Sequence, residues 1–313
     1  MAQLDSTARF DPPVSPAPRS APGRLGTWWL AIRPKTLPAA ASGVIVGTVL
    51  AWRDGGLSLG PALAALAVAV LLQVASNLAN DVYDDERGSD TAERLGPLRV
   101  TNAGLLTHEQ VKRGMKVVLA LAFSIGLYLT FVRGWMVLVI GIAAIVSAVA
   151  YTGGPYPLGY HGLGEVFVFV FFGLASVVGT YWVQTGETTP LVWLMSVPPG
   201  LIITAILVVN NLRDIEQDRV AGKRTIAVRV GTRATKAEYA ACMVVAYGLV
   251  AVLVLARALP ASAMATWLSL PLAVLTARTV YTKIGTPLNA ALAATGQTAL
   301  AFSVLFALGM VLG

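Results

Sequence analysis

The sequence contains few residues of the kinds that cross-link small domains or bind zinc. Of its 313 residues, one is cysteine (Cys242) and two are histidine. A single cysteine cannot form an intrachain disulfide, and so few thiol and imidazole groups argue against a zinc site. Charge is also scarce, since 12% of the residues are charged and 56% are hydrophobic, with a mean hydropathy of +0.70. Soluble domains carry about twice that share of charge, so we predict an integral membrane protein.

Acidic residues are outnumbered by basic ones, which gives a formal net charge of +7. The basic residues are scattered over the segments between apolar runs and do not form one patch. This pattern is typical of contacts with lipid headgroups and of membrane orientation, and we predict no nucleic-acid partner.

The N-terminal stretch, residues 1–26, is rich in Pro, Ala, Ser and Arg and has no apolar core. It is neither a signal peptide nor a folded domain, so we predict a disordered cytoplasmic tail. Residues 27–313 are predicted to form a single transmembrane domain.

Nine apolar runs are long enough, with their flanks, to span a bilayer. Their approximate bounds are 37–53, 59–82, 114–132, 135–152, 163–184, 190–211, 238–257, 260–281 and 288–312. We therefore predict an all-α integral membrane protein with nine transmembrane helices.

The basic residues predict the orientation of these spans. With a cytoplasmic N-terminus, all of them except Arg53, Arg133 and Arg257 fall on the cytoplasmic side, in agreement with the positive-inside rule. The predicted location is the cell membrane. Two long cytoplasmic loops are expected, at roughly 83–113 and 212–237, and loops of that length are usually functional.

The first candidate site is the stretch from Asn77 to Asp90, NLANDVYDDERGSD, which follows the purely apolar part of the second span, Leu59 to Ala75. If the helix continues through it, Asn77, Asn80, Asp81 and Asp84 are three, four and seven residues apart and share one helix face. Carboxylates at the mouth of a membrane helix need water or a counter-ion. Mg²⁺ prefers oxygen ligands and usually shares its coordination with a phosphate. We interpret the stretch as half of a metal–diphosphate site.

The second candidate site is Asn211, Asp214 and Asp218, which follow the sixth apolar run with the same spacing. Two clusters that face each other across a bundle could hold two Mg²⁺ ions with one diphosphate between them. Cations that follow the clusters could neutralise the rest of the diphosphate charge. These cations are Arg87, Arg94 and Arg99 after the first cluster, and Lys223 and Arg224 after the second.

A simpler interpretation is that each acidic cluster is the solvated end of a spanning helix. One cluster alone would leave the two interpretations about equal, because charged residues at helix ends are inexpensive there. Two matching clusters, each with a leading Asn and both at the same predicted membrane face, favour the metal site.

The clusters resemble the two aspartate-rich motifs of the UbiA superfamily of intramembrane prenyltransferases, NDxxD at 80–84 and NxxDxxxD at 211–218. Longer stretches are similar to the branch that acts on 1,4-dihydroxy-2-naphthoate in menaquinone synthesis: RPKTLPAA (33–40), NDVYDDERGSDT (80–91), GPLRVTNAGLLT (96–107), YTGGPYPLGYHGLGE (151–165) and NNLRDIEQDRVAGKRTIAVRVG (210–231). The similarity extends from about residue 28 to the end. The superfamily has a third acid where Gly88 stands here, and we take Asp90 as its substitute.

This resemblance implies a nine-helix bundle around a central cavity that opens toward the lipid. A polyprenyl diphosphate would bind with its diphosphate on two Mg²⁺ ions and its chain in an apolar tunnel. The allylic C–O bond would ionise, and the naphthoate ring would attack the carbocation and lose its carboxylate as CO₂, giving a demethylmenaquinol. The implied metal ligands are Asn80, Asp81, Asp84, Asp90, Asn211, Asp214 and Asp218. The catalytic candidates are Asp84, Asp214, Lys223 and Tyr151.

Residues expected to bind substrate also have simpler interpretations. Arg33 and Lys35 precede the first span and could anchor to lipid phosphate instead, while Lys223 and Arg224 could only set the topology. Tyr151 could be an interfacial aromatic. The full set of substrate-binding candidates is Arg33, Lys35, Asn77, Arg87, Arg94, Arg99 and Arg224. A separate local prediction is a capping box with Thr107 as N-cap and Gln110 as its partner.

Other functions stay open at this point. A prenyltransferase for 4-hydroxybenzoate or homogentisate would differ only in the aromatic acceptor. A secondary transporter would also suit two related halves with intramembrane acids. The acids lie at the ends of the spans rather than at their centres, which disfavours the transporter. The DGxxAR signature of CDP-alcohol phosphotransferases is absent from the sequence.

Overall fold

The computed structural model describes residues 23–89 and 94–313. Most of the predicted tail, and Asp90, therefore lie outside the described residues. Within the described ranges the chain forms helices joined by turns and loops, and no β-strand occurs there.

In the described ranges, ten helices of at least 9 residues follow one another. They are α1 (Arg24–Ile32), α2 (Leu37–Arg53), α3 (Leu59–Glu86), α4 (His108–Arg133), α5 (Trp135–Ala150), α6 (Gly164–Thr185), α7 (Pro190–Val220), α8 (Ile226–Leu255), α9 (Ala261–Thr282) and α10 (Leu288–Leu312). The nine predicted spans are confirmed, since each coincides with one of α2 to α10. By length and composition, eight segments could cross a membrane (α1 and α2 counted together), and α5 is shorter. The chain is a multi-pass membrane protein.

Successive spanning helices run in opposite directions because most connections between them are short. The ends of α3 and α7 therefore lie at the same end of the bundle, which we call the motif end; the opposite end is the far end. The capping box at Thr107 is confirmed, with Gln110 N donating to Thr107 Oγ1 and Thr107 N donating to Gln110 Oε1.

The prediction of two long loops was wrong for the second loop. Helix α7 continues to Val220 and α8 begins at Ile226, so only residues 221–225 connect them. The charged residues of this stretch predicted a solvated loop, but several of them face the polar interior of the bundle. The backbone is helical on both sides of residues 221–225, with a kink in α8 at Gly231 (φ 79°). The first loop is confirmed in shortened form, from 87 to 107, because α3 extends to Glu86 and α4 starts at His108.

The apolar core is divided in two, and this division creates a space between the parts. The larger cluster comes from α2 and from α6 to α10. The smaller cluster comes from α1, α3 and α4, together with Val100 of the loop 87–107. Helix α5 contributes no buried residue and lies at the edge of the bundle.

Close contact between helix backbones holds the larger part together. Helix α6 widens into a π-helix over Phe169–Ala175. Gly173, inside this segment, lies so close to α7 that an added Cβ would be 2.8 Å from Gly200 Cα and 3.0 Å from Ser196 O. Small residues at such crossings permit the backbone approach that stabilises helix pairs in membranes.

The different surroundings of Gly173 and Gly248 predict opposite effects of a Gly→Ala substitution on stability at the two positions. Gly173→Ala should lower the free energy of unfolding by about 1–3 kcal/mol, because the new methyl group meets backbone atoms that cannot move aside easily. In Gly248→Ala the methyl group meets nothing within 4 Å, so the better helix propensity of Ala should raise stability by about 0.5–1 kcal/mol. Thermal unfolding of the purified protein in detergent measures both, and equal Tm values for the two variants would contradict the assigned contact.

Candidate active site

A large cavity occupies the space between the two core clusters. Its volume is about 980 Å³. Polar and charged side chains line it at the motif end, where α3 and α7 finish. Apolar residues of α3, α4, α5 and α6 line the remainder toward the far end. A pocket of this size with a few convergent polar groups is the best candidate for a binding site in a protein.

Asp84 of α3 is the centre of the first polar group. Its carboxylate is buried, and Arg99 Nη2 donates to Oδ2 at 2.8 Å. Oδ1 accepts from the Tyr160 hydroxyl at 2.8 Å and from Lys223 Nζ at 3.4 Å. A buried carboxylate requires such charge-assisted partners, because desolvation would otherwise favour its neutral form.

Asp81, one turn earlier, has a different role in the structure. Its carboxylate accepts hydrogen bonds from Val100 N at 3.0 Å, from Thr101 N at 3.0 Å and from the Thr101 hydroxyl at 2.6 Å. Asp81 is fully buried and does not line the cavity. It fixes the loop 87–107 against α3, so that Arg99 of this loop is placed beside Asp84.

Asp214 of α7 is held by the residue that precedes it. Arg213 binds its carboxylate with two donors, Nε to Oδ1 at 2.7 Å and Nη2 to Oδ2 at 2.6 Å. The Arg213 side chain is itself completely buried. Arg213 Nη1 also donates to Asn289 Oδ1 of α10 at 2.6 Å, and Asn289 Nδ2 donates to Leu95 O at 2.8 Å. Arg213 and Asn289 thus connect the second motif to α10 and to the loop that follows the first motif.

Lys223 lies between the two motifs. Its Nζ is 3.4 Å from Asp84 Oδ1 and 3.7 Å from Asp218 Oδ1, and it lies 4.6 Å from the centre of the Tyr160 ring. This single cation therefore bridges acids from α3 and α7. The two aspartate clusters do face each other across the cavity, as the sequence predicted.

The asparagines of the two motifs are oriented by residues behind them. Asn211 Nδ2 donates to Glu165 Oε1 at 2.8 Å, and Thr152 Oγ1 donates to Asn80 Oδ1 at 3.0 Å. Because Asn211 donates from its nitrogen to Glu165, its oxygen is available on the other side. Among the described residues, Glu165 Oε2 has no hydrogen-bond partner.

Two tyrosines from the connection between α5 and α6 complete this part of the cavity wall. Burial, followed by the nearby charge of Glu165, raises the pKa of Tyr151 well above its usual range. Burial, followed by the charge of Asp84, raises the pKa of Tyr160 in the same way. A tyrosine hydroxyl is protonated at neutral pH in any case, so both side chains can donate hydrogen bonds.

Most of the predicted site residues are brought together. Those that line the cavity are Arg33, Lys35, Asn77, Asn80, Asp84, Arg94, Arg99, Tyr151, Asn211, Asp214, Asp218 and Lys223. Asp81, Arg87 and Arg224 do not line it, and Asp90 lies outside the described residues. Arg87 Nη2 donates to Gly154 O and stacks over the Tyr160 ring, while the Arg224 side chain is exposed.

The sequence prediction missed four residues of the site: Arg213, Tyr160, Glu165 and Asn289. Arg213 was assigned to a basic loop, although its position between Asn210 and Asp214 within the motif was a usable signal. Glu165, an acid at the start of an apolar span, was another such signal. Nothing in the sequence around Asn289 indicates its contact with Arg213.

The carboxylates that line the cavity would need further ligands to complete the coordination shell of a divalent cation. No group of three or more His, Cys, Asp or Glu side chains in the part of the chain that the structure describes is close enough to hold a metal by itself. Mg²⁺ usually takes one or two carboxylates and completes its shell with water and substrate phosphate oxygens. Asp84, Asp214 and Asp218 line one end of one cavity, so they fit an ion that is shared with a diphosphate.

Comparison with known proteins identifies the class. The UbiA prenyltransferase family matches residues 40–293, and the chain belongs to this family. The 1,4-dihydroxy-2-naphthoate octaprenyltransferase of Haemophilus influenzae is 37% identical over 93% of this chain and 97% of its own length. The protein of the same name from Escherichia coli is 42% identical over 70% of this chain and 73% of its own.

Solved structures share the fold. A UbiA homologue from Aeropyrum pernix K1, in its apo form, has a TM-score of 0.68 at 19% identity, over 90% of this chain and 98% of its own. A UbiA homologue from Archaeoglobus fulgidus, bound to DMAPP and Mg²⁺, has a TM-score of 0.63 at 14% identity, over 92% of this chain and all of its own. At these identities the likeness establishes the fold alone.

The buried pair of Arg213 and Asp214 generates a prediction with a matched control. In Arg213→Lys the charge remains, but an ammonium group cannot reproduce the two parallel hydrogen bonds to Asp214. We expect the kcat/KM of prenyl transfer to fall by about tenfold or more, since misplaced polar groups commonly cost this much. Arg219→Lys lies on the same helix, where Arg219 pairs with Glu216 at the surface, and it should leave kcat/KM unchanged. Equal activities of the two variants would contradict a role for Arg213 in holding Asp214.

Proposed function

We propose that this protein transfers a polyprenyl group from polyprenyl diphosphate to 1,4-dihydroxy-2-naphthoate in a Mg²⁺-dependent reaction, with release of diphosphate and CO₂. The product is a demethylmenaquinol, an intermediate of menaquinone synthesis. The observation that carries the proposal is the large cavity with residues of both aspartate motifs at one end and apolar walls along the rest. The names of the curated relatives support the choice of the naphthoate acceptor.

The polar end of the cavity suits the diphosphate. Asn80, Asp84, Asn211, Asp214 and Asp218 would hold up to two Mg²⁺ ions that arrive with the substrate. When bound, these ions neutralise the charge that develops on the departing diphosphate. Asp90, which lies outside the described residues, and Asp81 stay proposed ligands on the family resemblance alone; the contacts of Asp81 favour a role in positioning the loop.

Cationic side chains supply the remaining neutralisation. In the proposed reaction Lys223, Arg99 and Arg94 face the diphosphate oxygens, and the Tyr160 hydroxyl orients Asp84. Lys223 contacts acids of both motifs. It is therefore placed to stabilise the negative charge that develops on the diphosphate as the allylic C–O bond breaks. The electron pair of this bond leaves with the diphosphate and generates an allylic carbocation.

The apolar part of the cavity suits the prenyl chain and the carbocation. Because its walls exclude water, the cation is protected from hydrolysis. Phe167 and Phe171 of α6 line the cavity, and aromatic ring faces stabilise cations. The ring carbon that carries the carboxylate attacks the cation, a C–C bond forms, and the electron pair of the bond to CO₂ returns to the ring. Arg33 and Lys35 also line the cavity and are proposed to bind substrate anions.

The orientation in the membrane is part of the proposal. Basic residues are concentrated at the motif end of the bundle, and the positive-inside rule places this end at the cytoplasm. Both substrates would then reach the site from the cytoplasmic side of the cell membrane, the prenyl diphosphate through the lipid.

The acceptor can be tested directly. Purified protein in detergent is incubated with radiolabelled geranylgeranyl diphosphate, Mg²⁺ and one of three acceptors: 1,4-dihydroxy-2-naphthoate, 4-hydroxybenzoate or homogentisate. We expect a lipophilic product and stoichiometric CO₂ with the naphthoate alone, and loss of both when EDTA removes the metal. A product with another acceptor would support the proposed class of reaction but refute the naphthoate as the acceptor. No product with any acceptor would refute the proposed function.

Carboxylate-to-amide substitutions test the metal site. Asp84→Asn and Asp214→Asn keep the shape of the side chains but remove the negative charge that a divalent cation requires. We expect kcat to fall by at least about 100-fold in each variant, because removing one group that stabilises charge in a transition state commonly costs this much. Glu216→Gln, two residues from Asp214 on the surface of α7, is the control and should keep full activity. Wild-type rates in the two aspartate variants would refute the metal site.

A further inference from the structure

The far end of the cavity contains three glycines that differ from the packing glycines of the bundle. Gly126 of α4, Gly141 of α5 and Gly179 of α6 all line the cavity. A Cβ added to any of them would meet no atom within 4 Å, whereas one added to Gly47 would lie 2.4 Å from Val177 O. The absence of a side chain at these three positions therefore leaves open space and serves no close contact between helices. At Gly126 and Gly141 this space also adjoins a small groove between α3, α4 and α5.

The three glycines lie at one depth. Gly126 and Gly141 are placed almost symmetrically about the turn at Gly134 that joins α4 to α5, and Gly179 lies a similar distance before the end of α6 at Thr185. At a rise of about 1.5 Å per residue, each is roughly 10 Å from the far end of its helix. The motif-end termini of the three helices are staggered, so the layer lies about 14 Å from the end of α5, about 22 Å from the start of α6 and about 27 Å from the start of α4.

The cavity continues beyond this layer and then ends on larger side chains. One helical turn farther out, the cavity is lined by Leu129 of α4, Val137 of α5 and Val183 of α6. Leu129 and Val183 are buried. Larger residues thus close the space that the glycines leave open, about 5 Å deeper, which is one helical pitch.

This depth can be compared with the length of prenyl chains. An isoprene unit adds four carbon–carbon bonds of about 1.5 Å each, or about 5 Å along an extended chain. A geranyl chain of two units therefore ends above the glycine layer. A geranylgeranyl chain of four units, about 20 Å long, extends past the depth of Gly141 in α5 and ends close to the depth of Gly179 in α6.

We propose that Gly126, Gly141 and Gly179 determine which prenyl donors the enzyme accepts, by keeping the far part of the tunnel open to chains of about four isoprene units or more. The proposal rests on the proposed function, since it assumes that the cavity binds a prenyl diphosphate. Side chains in this layer would block long donors and leave short ones unaffected.

The test compares two donors in variants at two of the glycines. Gly141→Leu and Gly179→Leu are purified with the wild type, and kcat/KM for the naphthoate reaction is measured with geranyl and with geranylgeranyl diphosphate. We expect kcat/KM with geranylgeranyl diphosphate to fall by about tenfold or more, as for other misfits in apolar pockets, and kcat/KM with geranyl diphosphate to stay near that of the wild type. The control is Gly248→Leu, which also meets open space but lies outside the cavity lining. It should leave both values unchanged.

Binding is measured in parallel, because it does not depend on turnover. Each diphosphate with Mg²⁺ should raise the Tm of a protein that binds it. In the Leu variants the Tm shift with geranylgeranyl diphosphate should shrink, and the shift with geranyl diphosphate should persist. If a Leu variant is not monodisperse in detergent, Gly141→Ala and Gly179→Ala provide smaller steps in the same direction.

The outcomes separate this proposal from the proposed function. An unchanged ratio of the two kcat/KM values, together with unchanged Tm shifts, would overturn the role of the glycines even if the enzyme is active. A wild type that forms no product with either donor would refute the proposed function. In that case the Tm shifts alone decide whether the glycine layer discriminates between chain lengths.

Discussion

The aspartates of the two motifs each need a cation or a set of N–H donors, because they lie buried or half-buried among apolar helices. Asp84 is paired with Arg99 and Lys223, and Asp214 is paired with Arg213. Leaving one such acid without its partner would cost several kcal/mol. This requirement explains why the loop 87–107 folds back onto α3 and why α7 stays helical as far as Val220. The arrangement of the whole motif end follows from the neutralisation of a few charges.

The same pairing is what makes the site suitable for chemistry. The acids are held in place by partners that are positively charged and close to one another, so a diphosphate that brings divalent cations would find both kinds of group already positioned. Such preorganisation is the main source of electrostatic catalysis in proteins. Lys223 is central in this respect, since it is the residue that contacts carboxylates of both motifs. The residues behind the site, above all Glu165 and Asn289, fix the orientation of Asn211 and Arg213.

Glycine serves two opposite purposes in the membrane-spanning part. Gly173 and Gly200 bring two helix backbones into contact, so that the larger core cluster is tightly packed. Gly126, Gly141 and Gly179 instead line the cavity and leave open space beside their helices. A close-packed interior and a long internal tunnel are difficult to combine in one bundle. Here the division of the core into two clusters, with α5 at the edge, allows both.

The amino-acid sequence alone was sufficient to predict the class of protein, the nine spans, the two motifs and the capping box at Thr107. These features depend on local properties: the transfer of apolar segments into a membrane, the period of the helix and contacts within one turn. Only the tertiary structure decided which acid faces the cavity. Asp81 and Asp84 are neighbours on one helix face, yet Asp81 binds the loop backbone at Val100 while Asp84 lines the site. The contact between Arg213 and Asn289 also arises from tertiary packing, because partners so far apart in the chain meet only when α7 and α10 pack together.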